Sequence, residues 1–233
     1  MLYKIISNDL KLIFRDKSLL IMFIIPFAVL ALCRFGVLQT VALFPPVEDY
    51  YWLIVASLTS VTASTPSFLI GFLLLDEKDE NVDTLIRILP VPSNFILKSR
   101  ISLTVFLGFI FSALILTFNR LIFLTFAEIF SVSFLFALIP PVLTFTITAL
   151  AKNKIQAATI YKGLNIIIFL PVVAFFVPDY LKFLFGIIPF FWTFNAIHVI
   201  GAFTPFILSF FISIILHSIF IFCLYRLYKK KNG

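Results

Sequence analysis

Charged residues are scarce in this chain of 233 residues. Asp, Glu, Lys and Arg together make up 12% of it, whereas hydrophobic residues make up 62% and the mean hydropathy is +1.14. A soluble domain carries about 25% charged residues, so the surface of a soluble protein cannot be built from this composition. The shortage of charge excludes a soluble globular protein and indicates a chain embedded in a lipid membrane.

Glycine, cysteine and histidine are also scarce, and the motifs that use them are absent. The seven glycines are scattered and form no phosphate-binding loop of the G-x-x-x-x-G-K-[ST] type, so the chain cannot itself hold a nucleotide. The two cysteines and two histidines have neither metal-ligand spacing nor a neighbouring catalytic partner in sequence. The sequence therefore predicts no catalytic residue, no cofactor and no metal ion in this chain.

Long apolar sequence is abundant, and it is divided into six stretches. Each reaches or approaches the length of about 20 residues that a helix needs to cross the apolar core of a bilayer. The stretches run roughly over Leu19–Phe44, Tyr50–Leu75, Ile101–Phe118, Leu121–Ala151, Ile155–Val177 and Phe203–Tyr225. The sequence predicts an all-α membrane protein, with one domain over residues 1–233 and six transmembrane helices.

Lysine and arginine are distributed unevenly between the loops. With the amino terminus inside, 15 of the 18 basic residues fall in the inner segments, and the other three are Arg34, Arg120 and Lys182. Cytoplasmic loops of membrane proteins carry an excess of Lys and Arg. The bias predicts a multi-pass protein of the cell membrane with both termini in the cytoplasm. It also explains the net charge of +7 without a nucleic acid partner.

Residues 1–18 carry apolar side chains at helical spacing and charged side chains elsewhere on the helical wheel. This pattern predicts an amphipathic helix in the membrane interface, with its lysines near anionic headgroups. The alternative is a cytoplasmic extension of the first span. The periodicity stops at Asp16, before the apolar stretch begins, which favours a separate interfacial helix.

Residues 178–202, between the fifth and sixth stretches, are apolar but interrupted. Proline and glycine divide them into short pieces around Phe183–Ile188 and Phe190–Phe194. Such pieces are too short to cross a membrane and too apolar for water. Irregular backbone at membrane depth must be buried in protein, so the segment is predicted to form a re-entrant or interfacial hairpin on the outer face.

The second apolar stretch contains many small and hydroxyl-bearing residues. Small faces let membrane helices approach closely, and hydroxyl groups add interhelical hydrogen bonds. The density of hydroxyls favours a helix beside a polar substrate path or at a dimer seam, although helix packing alone would explain the small residues. The residues predicted for this role are Ser57, Ser60, Ser64 and Ser67, with Asn165 in the fifth stretch.

Arg34 and Glu128 are charged residues that lie within apolar stretches. Arg34 falls in the outer half of the first, and Glu128 falls in the fourth, seven or eight residues after the outer turn. Charges inside a membrane are costly and usually face the bundle interior or a polar path. The two side chains could meet near the outer leaflet as a gate or substrate contact. The alternatives are a structural ion pair or side chains that reach outward to the interface.

The inner loop 76–98 starts with four acids at a boundary that otherwise carries basic residues. An amphipathic pattern follows over 84–89 and predicts a short helix along the membrane, which prolines stop. A solvated acidic loop would not need an apolar face, so docking to another protein is favoured. The residues predicted to make this contact are Asp76, Glu77, Asp79, Glu80, Thr84, Leu85, Arg87, Leu89 and Pro90.

The amino-terminal segment and the inner loop both carry sequence motifs of a known family. Its motifs are Leu10–Lys17 with the pair Arg15 and Asp16 before the first span, Pro26 within that span, Thr84-Leu85, Pro90-Val91 and Ser99-Arg100. The first group resembles the amino-terminal connecting helix of type-2 ATP-binding-cassette (ABC) exporter permeases. The others resemble the coupling loop of the same family, between spans two and three. The resemblance in topology covers essentially the full chain.

The resemblance implies a permease subunit that works as a dimer, homomeric or heteromeric, with two separate ABC ATPase subunits that hold ATP and Mg²⁺. ATP-driven export of an amphipathic or lipophilic substrate (a peptide toxin, a drug or a lipid-like molecule) is then expected, with the inner loop as the ATPase contact. The alternative function is an ion-gradient-driven secondary transporter or a channel. Against it stand the absence of inverted repeats and the shortage of buried acids for proton transfer.

Overall fold

The computed structural model describes residues 2–80 and 93–232, and regular structure in this part of the chain is entirely helical. This confirms the all-α prediction. The α-helices are α1 Leu2–Arg15, α2 Lys17–Ala31, α3 Val37–Leu43, α4 Tyr51–Asp79, α5 Ser93–Phe118, α6 Phe126–Phe136, α7 Ile139–Leu150, α8 Lys154–Phe169, α9 Asp179–Phe185, α10 Pro189–His198 and α11 Phe203–Asn232.

Six segments of the described chain are long and apolar enough to cross a membrane, as predicted. They are span 1 Leu19–Leu43, span 2 Pro45–Glu77, span 3 Phe95–Phe118, span 4 Phe126–Leu150, span 5 Lys154–Phe175 and span 6 Phe203–Lys231. Span 1 joins α2 to α3 through a π-helical turn at Leu32–Gly36, and span 5 continues α8 into a 3₁₀ turn at Leu170–Phe175.

The fourth span begins later than its apolar sequence indicates. The Asn119 side chain accepts hydrogen bonds from the backbone amides of Leu121 (2.7 Å) and Ile122 (2.9 Å). These bonds hold the apolar residues after the turn in a loop, and the helix starts only at Phe126. The span is also divided into α6 and α7, because two adjacent prolines open α7 and proline has no amide hydrogen to continue a helix.

Span 2 forms the centre of the bundle. In its most apolar stretch 78% of the residues are buried, compared with 17% in spans 1, 5 and 6. It packs against spans 1, 3, 4 and 5 and against α10. Close approach on several sides requires small side chains, which explains why this helix carries serine, threonine and alanine where the outer spans carry phenylalanine and isoleucine.

Spans 3 and 4 are in close contact at Gly108. A Cβ atom at this position would lie 2.8 Å from Cγ of Pro140 and 3.5 Å from the Cα atom of Ala137. A proline ring cannot move aside as the end of a flexible side chain can. The absence of a side chain at Gly108 therefore sets the distance between the two helices.

The segment between spans 5 and 6 forms α9 and α10, and α10 packs along the outer half of span 6. The ring of Phe190 lies 5.6 Å from the ring of His217, and Asn195 donates a hydrogen bond to Ser209 (2.8 Å). His217 is 14 residues after Phe203, the first residue of span 6, which corresponds to about 21 Å along a helix. The amino-terminal end of α10 therefore lies beside the middle of span 6.

The predicted amphipathic helix is present as α1 and ends at Arg15. It packs on the bundle itself, because Ile13 is fully buried in a cluster with Phe68 of span 2 and Leu103 of span 3. The Asp9 side chain is buried as well, with 1% of the residue exposed. An apolar face explains the burial of Ile13, but a buried carboxylate needs a specific partner.

Candidate functional site

The partner of Asp9 is Arg100, near the amino-terminal end of span 3. Nε and Nη2 of Arg100 donate to the two Asp9 carboxylate oxygens, each at 3.0 Å. On its other side, Nη1 and Nη2 donate to the two oxygens of Glu77 at 2.5 Å. Arg100 is 4% exposed. One buried cation is thus held between two carboxylates, and it joins α1, span 2 and span 3.

A third ion pair is formed by the residue next to Glu77 in the sequence. Lys154, the first residue of span 5, contacts the carboxylate of Asp76 at 2.5 Å, and both side chains are partly exposed. We call Asp9, Asp76, Glu77, Arg100 and Lys154 the inner ion-pair cluster. It connects span 2 to α1, span 3 and span 5, at the point where the chain enters residues 81–92.

Two of the residues predicted to contact the ATPase belong to the inner ion-pair cluster instead. Asp76 and Glu77 were predicted to face another protein, and both bind basic residues of their own chain. Asp79 is the last residue of α4, and the exposed Glu80 follows it. The remaining predicted contact residues, Thr84, Leu85, Arg87, Leu89 and Pro90, lie outside the described residues. Their role as an ATPase contact stays a prediction.

Sequence reasoning quoted Arg100 only as part of a family pair and did not select it as a functional residue. Its partner Asp9 lies 91 positions away, so no local pattern could reveal the pair. The one available signal was an arginine inside the apolar surroundings of span 3. A basic residue there must find an acid or reach the interface.

The pair Arg15 and Asp16 lies at the junction of α1 and α2. Arg15 is the last residue of α1. The backbone of Asp16 accepts from the amide of Leu20 (2.9 Å), and its own amide donates to Leu12 (3.2 Å). Hydrogen bonds thus continue across the junction, so α1 is connected directly to span 1.

The predicted path residues lie inside one protomer, next to span 5. Ser64 of span 2 is fully buried. Its hydroxyl lies 3.0 Å from the Tyr161 hydroxyl and 3.2 Å from Oδ1 of Asn165. The amide of Asn165 in turn donates to the backbone of Tyr161 (2.9 Å). This polar contact is the direct link between the centres of spans 2 and 5.

Two other predicted path serines of span 2 donate hydrogen bonds within their own helix. Ser60 donates to the carbonyl of Ser57 (2.7 Å), and Ser67 donates to the carbonyl of Ser64 (2.5 Å). Ser60, Ser64 and Ser67 have no exposed surface, whereas Ser57 is half-buried. In this conformation the serines contribute to packing, and their role in a substrate path or dimer seam stays a prediction.

Arg34 and Glu128 do not meet. No ion pair joins them, although the structure describes both residues. Arg34 lies in the π-helical turn of span 1. Glu128 caps α6, because its Oε2 accepts from the amide (2.7 Å) and hydroxyl (2.8 Å) of Thr125.

The contact considered for Arg34 and Glu128 is absent from the structure, in which span 4 starts at Phe126 and Glu128 lies in its first turn. The spacing Thr125-x-x-Glu128 is that of a capping box, in which a serine or threonine precedes a helix and a glutamate follows three residues later. This signal was readable in the sequence. An outer-gate role for either residue stays a prediction.

Polar groups also join α10 to span 6. The hydroxyls of Thr193 and Ser213 lie 3.0 Å apart, and Nδ1 of His217 lies 2.9 Å from the carbonyl oxygen of Ser213. At the other end of α10, the ring of His198 packs against the ring of Trp52 in a tilted arrangement, with the ring centroids 4.2 Å apart. Burial lowers the pKa of His198 below its ordinary value, and the charge of Lys182 lowers it further.

The comparison with known families agrees with this architecture. Residues 9–225 match the family described as "fluoroquinolones export permease protein Rv2686c-like". The chain belongs to this family. The match starts at Asp9 and ends at Tyr225, so it includes the inner ion-pair cluster, the first five spans and most of span 6 of this permease. It confirms the predicted type-2 ABC exporter permease. No curated protein matches the chain.

The described part of this permease contains no metal-binding cluster. Among the residues that the structure describes, no three His, Cys, Asp or Glu side chains lie close enough together to hold a metal ion. The clustered polar groups are the inner ion-pair cluster, the Ser64 contact at the centre of the bundle and the polar contacts of α10. Each joins helices to one another, which suits a protein that changes shape.

Proposed function

We propose that this permease is the membrane subunit of an ATP-driven exporter that moves an amphipathic or lipophilic drug out of the cell. Two permease chains, identical or different, form a dimer in this proposal, and two ABC ATPase subunits bind on the cytoplasmic side. The ATPases hold ATP and Mg²⁺, and this chain holds neither. The wording of the family description makes a fluoroquinolone the first substrate to test.

The inner ion-pair cluster is the observation that carries the proposal. It binds span 2 to three other elements within a few residues of the segment expected to contact the ATPase. A force on residues 81–92 would act on the end of span 2. Charge-assisted bonds with two contacts per carboxylate are among the strongest side-chain interactions, so α1 and span 3 would follow.

The proposed mechanism has two conformations. When the ATPases close on ATP, they press on the inner loop and tilt span 2 together with its ion-paired neighbours. Lys154 passes the motion to span 5, because it is bound to Asp76. A partner can shift such an equilibrium only by contacting the two conformations differently, and the inner loop is where that difference is expected.

On the outer side we propose that α9 and α10 form a re-entrant hairpin that closes the exit. Support comes from the contact of Phe190 with His217, near the middle of span 6, and from the hydrogen bond between Thr193 and Ser213. These contacts would separate when the path opens. The hydroxyls around Ser64, exposed by the same motion, would then line the polar side of the path.

The proposal is tested with inside-out membrane vesicles from the cell that carries the protein. Uptake of a fluorescent fluoroquinolone such as norfloxacin is measured with ATP, with a non-hydrolysable ATP analogue, and with ATP plus a protonophore. We expect uptake with ATP that survives the protonophore, and no uptake with the analogue. Vesicles from a deletion strain serve as the control.

The same experiment separates the two classes of transporter. Uptake that needs an ion gradient and proceeds without ATP would identify a secondary transporter and refute the proposal. Equal uptake in the deletion strain would show that the drug is not a substrate, and would leave ATP-driven export to be tested with other lipophilic drugs.

A further inference from the structure

A groove opens between the outer ends of spans 4 and 6, away from the inner ion-pair cluster and the Ser64 contact. It encloses about 280 Å³, close to the lower end of the usual range for small-molecule pockets, about 300 Å³. Its span 6 wall is formed by Phe203, Phe206 and Ile207. Its span 4 wall is formed by Ala127, Glu128 and Ser131. We call it the Glu128 groove.

The carboxylate in this groove is only partly used by the helix cap. Both hydrogen bonds from Thr125 go to Oε2 of Glu128. No basic side chain within the described part of the chain forms an ion pair with Glu128. The carboxylate of this groove-lining residue therefore has no compensating cation from the described chain.

The hydroxyl in the groove is also an acceptor. Ser131 directs its hydrogen to the backbone carbonyls of Ala127 (2.5 Å) and Glu128 (3.3 Å). Its oxygen lone pairs are left for a donor on a bound molecule. Both polar side chains of the groove therefore accept hydrogen bonds, which suits a ligand with N–H groups and disfavours an anion.

The aromatic wall favours the same ligand. Phe203 is 78% exposed, and Phe206 lines the groove beside it. Aromatic faces attract organic cations, with an interaction that is stronger where water is excluded. An acyl chain of a lipid would also cover these rings, but it would leave the carboxylate unpaired.

We propose that the Glu128 groove binds an amphipathic organic cation, with an ammonium group on Glu128 and Ser131 and an apolar ring against the phenylalanines. The binding is a property of this chain alone. Its use as an outer station for exported drugs rests on the proposed function. Failure of ATP-driven export would leave the binding prediction standing, and failure of binding would leave ATP-driven export standing.

The test uses three naphthalene probes of similar shape and different charge. 1-Naphthylmethylammonium is a cation, 1-naphthylacetate is an anion and 1-naphthalenemethanol is neutral. Equilibrium dialysis measures their binding to the purified chain in nanodiscs, with empty nanodiscs subtracted. We expect saturable binding of the cation and at least tenfold weaker binding of the anion and the alcohol.

Two variants locate the site. Glu128→Gln removes the charge but keeps the capping box, because glutamine also serves at this position of the box. It should weaken cation binding at least tenfold without changing the thermal unfolding of the protein. Glu48→Gln removes an acid from the outer turn at Pro45–Tyr50, outside the groove, and should bind the cation as the unchanged protein does.

The remaining outcomes contradict the proposal. Unchanged cation binding in Glu128→Gln would place the site elsewhere, and an equal loss in Glu48→Gln would mean that surface charge alone attracts the cation. Equal binding of the alcohol would indicate a lipid-like occupant. If Glu128→Gln unfolds, Ser131→Ala removes the other polar side chain, and unchanged cation binding there overturns the proposal.

Discussion

The guanidinium of Arg100 has two carboxylates within hydrogen-bond distance and almost no exposed surface. A buried charge without partners costs several kcal/mol, and the attraction of a well-placed ion pair offsets much of that cost. Such a pair contributes more to the relative positions of the helices than to the net stability of the fold. Arg100 fixes the positions of three elements relative to one another, which a set of apolar contacts would do less specifically.

Removal of the charge at Arg100 is predicted to destabilise the protein. In Arg100→Gln the carboxylates of Asp9 and Glu77 stay in place and lose their shared cation. Breaking a buried pair on one side costs about 3–5 kcal/mol. We expect a loss of this size in the free energy of unfolding, measured by denaturant titration in detergent micelles.

The matched control lies two positions away on the same helix. Lys98 is exposed, and Lys98→Gln removes the same charge. Exposed charges contribute little, about 0–1 kcal/mol, so this variant should unfold like the unchanged protein. Equal effects of the two substitutions would mean that total charge, and not the buried pair, determines stability.

His198 is predicted to make stability depend on pH. Burial and Lys182 lower its pKa in the folded protein below the ordinary value of 6.5. The unfolded chain therefore binds the proton first as the pH falls below about 6.5, and stability is lost over that range. His198→Phe keeps a ring against Trp52. Between about pH 7.5 and pH 5, its melting temperature should fall less than that of the unchanged protein. Equal losses in the two proteins would contradict the assignment.

At the level of residues, the sequence showed which side chains are unusual for their position better than it showed which residues they contact. The sequence singled out Asp76 and Glu77 as acids at a boundary that otherwise carries basic residues. Their partners Lys154 and Arg100 come from other helices, and single-sequence patterns contain no information on such distant contacts. Glu128 shows the opposite case, since its partner Thr125 is local and the capping pattern was visible.

At the level of elements, the close contact of spans 3 and 4 gives a sharp prediction. Gly108→Ala places a methyl group 2.8 Å from the ring of Pro140, so the helices must separate. Overpacking of a tight core typically costs about 1–3 kcal/mol. We expect a loss of this order in the free energy of unfolding.

A second glycine provides the control for this prediction. Gly163 lies in α8, and a Cβ atom there would meet no other atom within 4 Å. Alanine has a higher helix propensity than glycine by about 1 kcal/mol, so Gly163→Ala should be neutral or stabilising. If Gly108→Ala behaves in the same way, the two spans are not held as closely as described.

The helices themselves were largely predictable, because the length and polarity of a membrane span are local properties of the sequence. The six apolar stretches became six spans with shifts of a few residues at their ends. The late start of span 4 was missed, since it depends on a loop held by the side chain of Asn119. The position of α10 beside span 6 could not be predicted from the sequence. The sequence indicated that residues 178–202 cannot cross the membrane and predicted a hairpin there, without showing which helix it contacts.

At the level of the whole molecule, the described ion pairs are concentrated at one end, and the contacts elsewhere are apolar or involve uncharged polar groups. Of the described ion pairs, all three join α1 and the inner ends of spans 2, 3 and 5. The positive-inside bias indicates that this end faces the cytoplasm. The protein thus has its strongest interhelical connections where an ATPase would press, and weaker polar contacts at the end where substrate would leave.

The central claim is that these ion pairs transmit the motion of the inner loop. Asp76 and Lys154 are partly exposed, so their charges can be exchanged without burying an unpaired group. Norfloxacin uptake driven by ATP is measured in inside-out vesicles that contain equal amounts of Asp76→Lys, Lys154→Asp or both. We predict that each single variant loses most of the uptake, about tenfold, and that the double variant regains it. Full uptake in the single variants, or no recovery in the double variant, would contradict transmission through this pair.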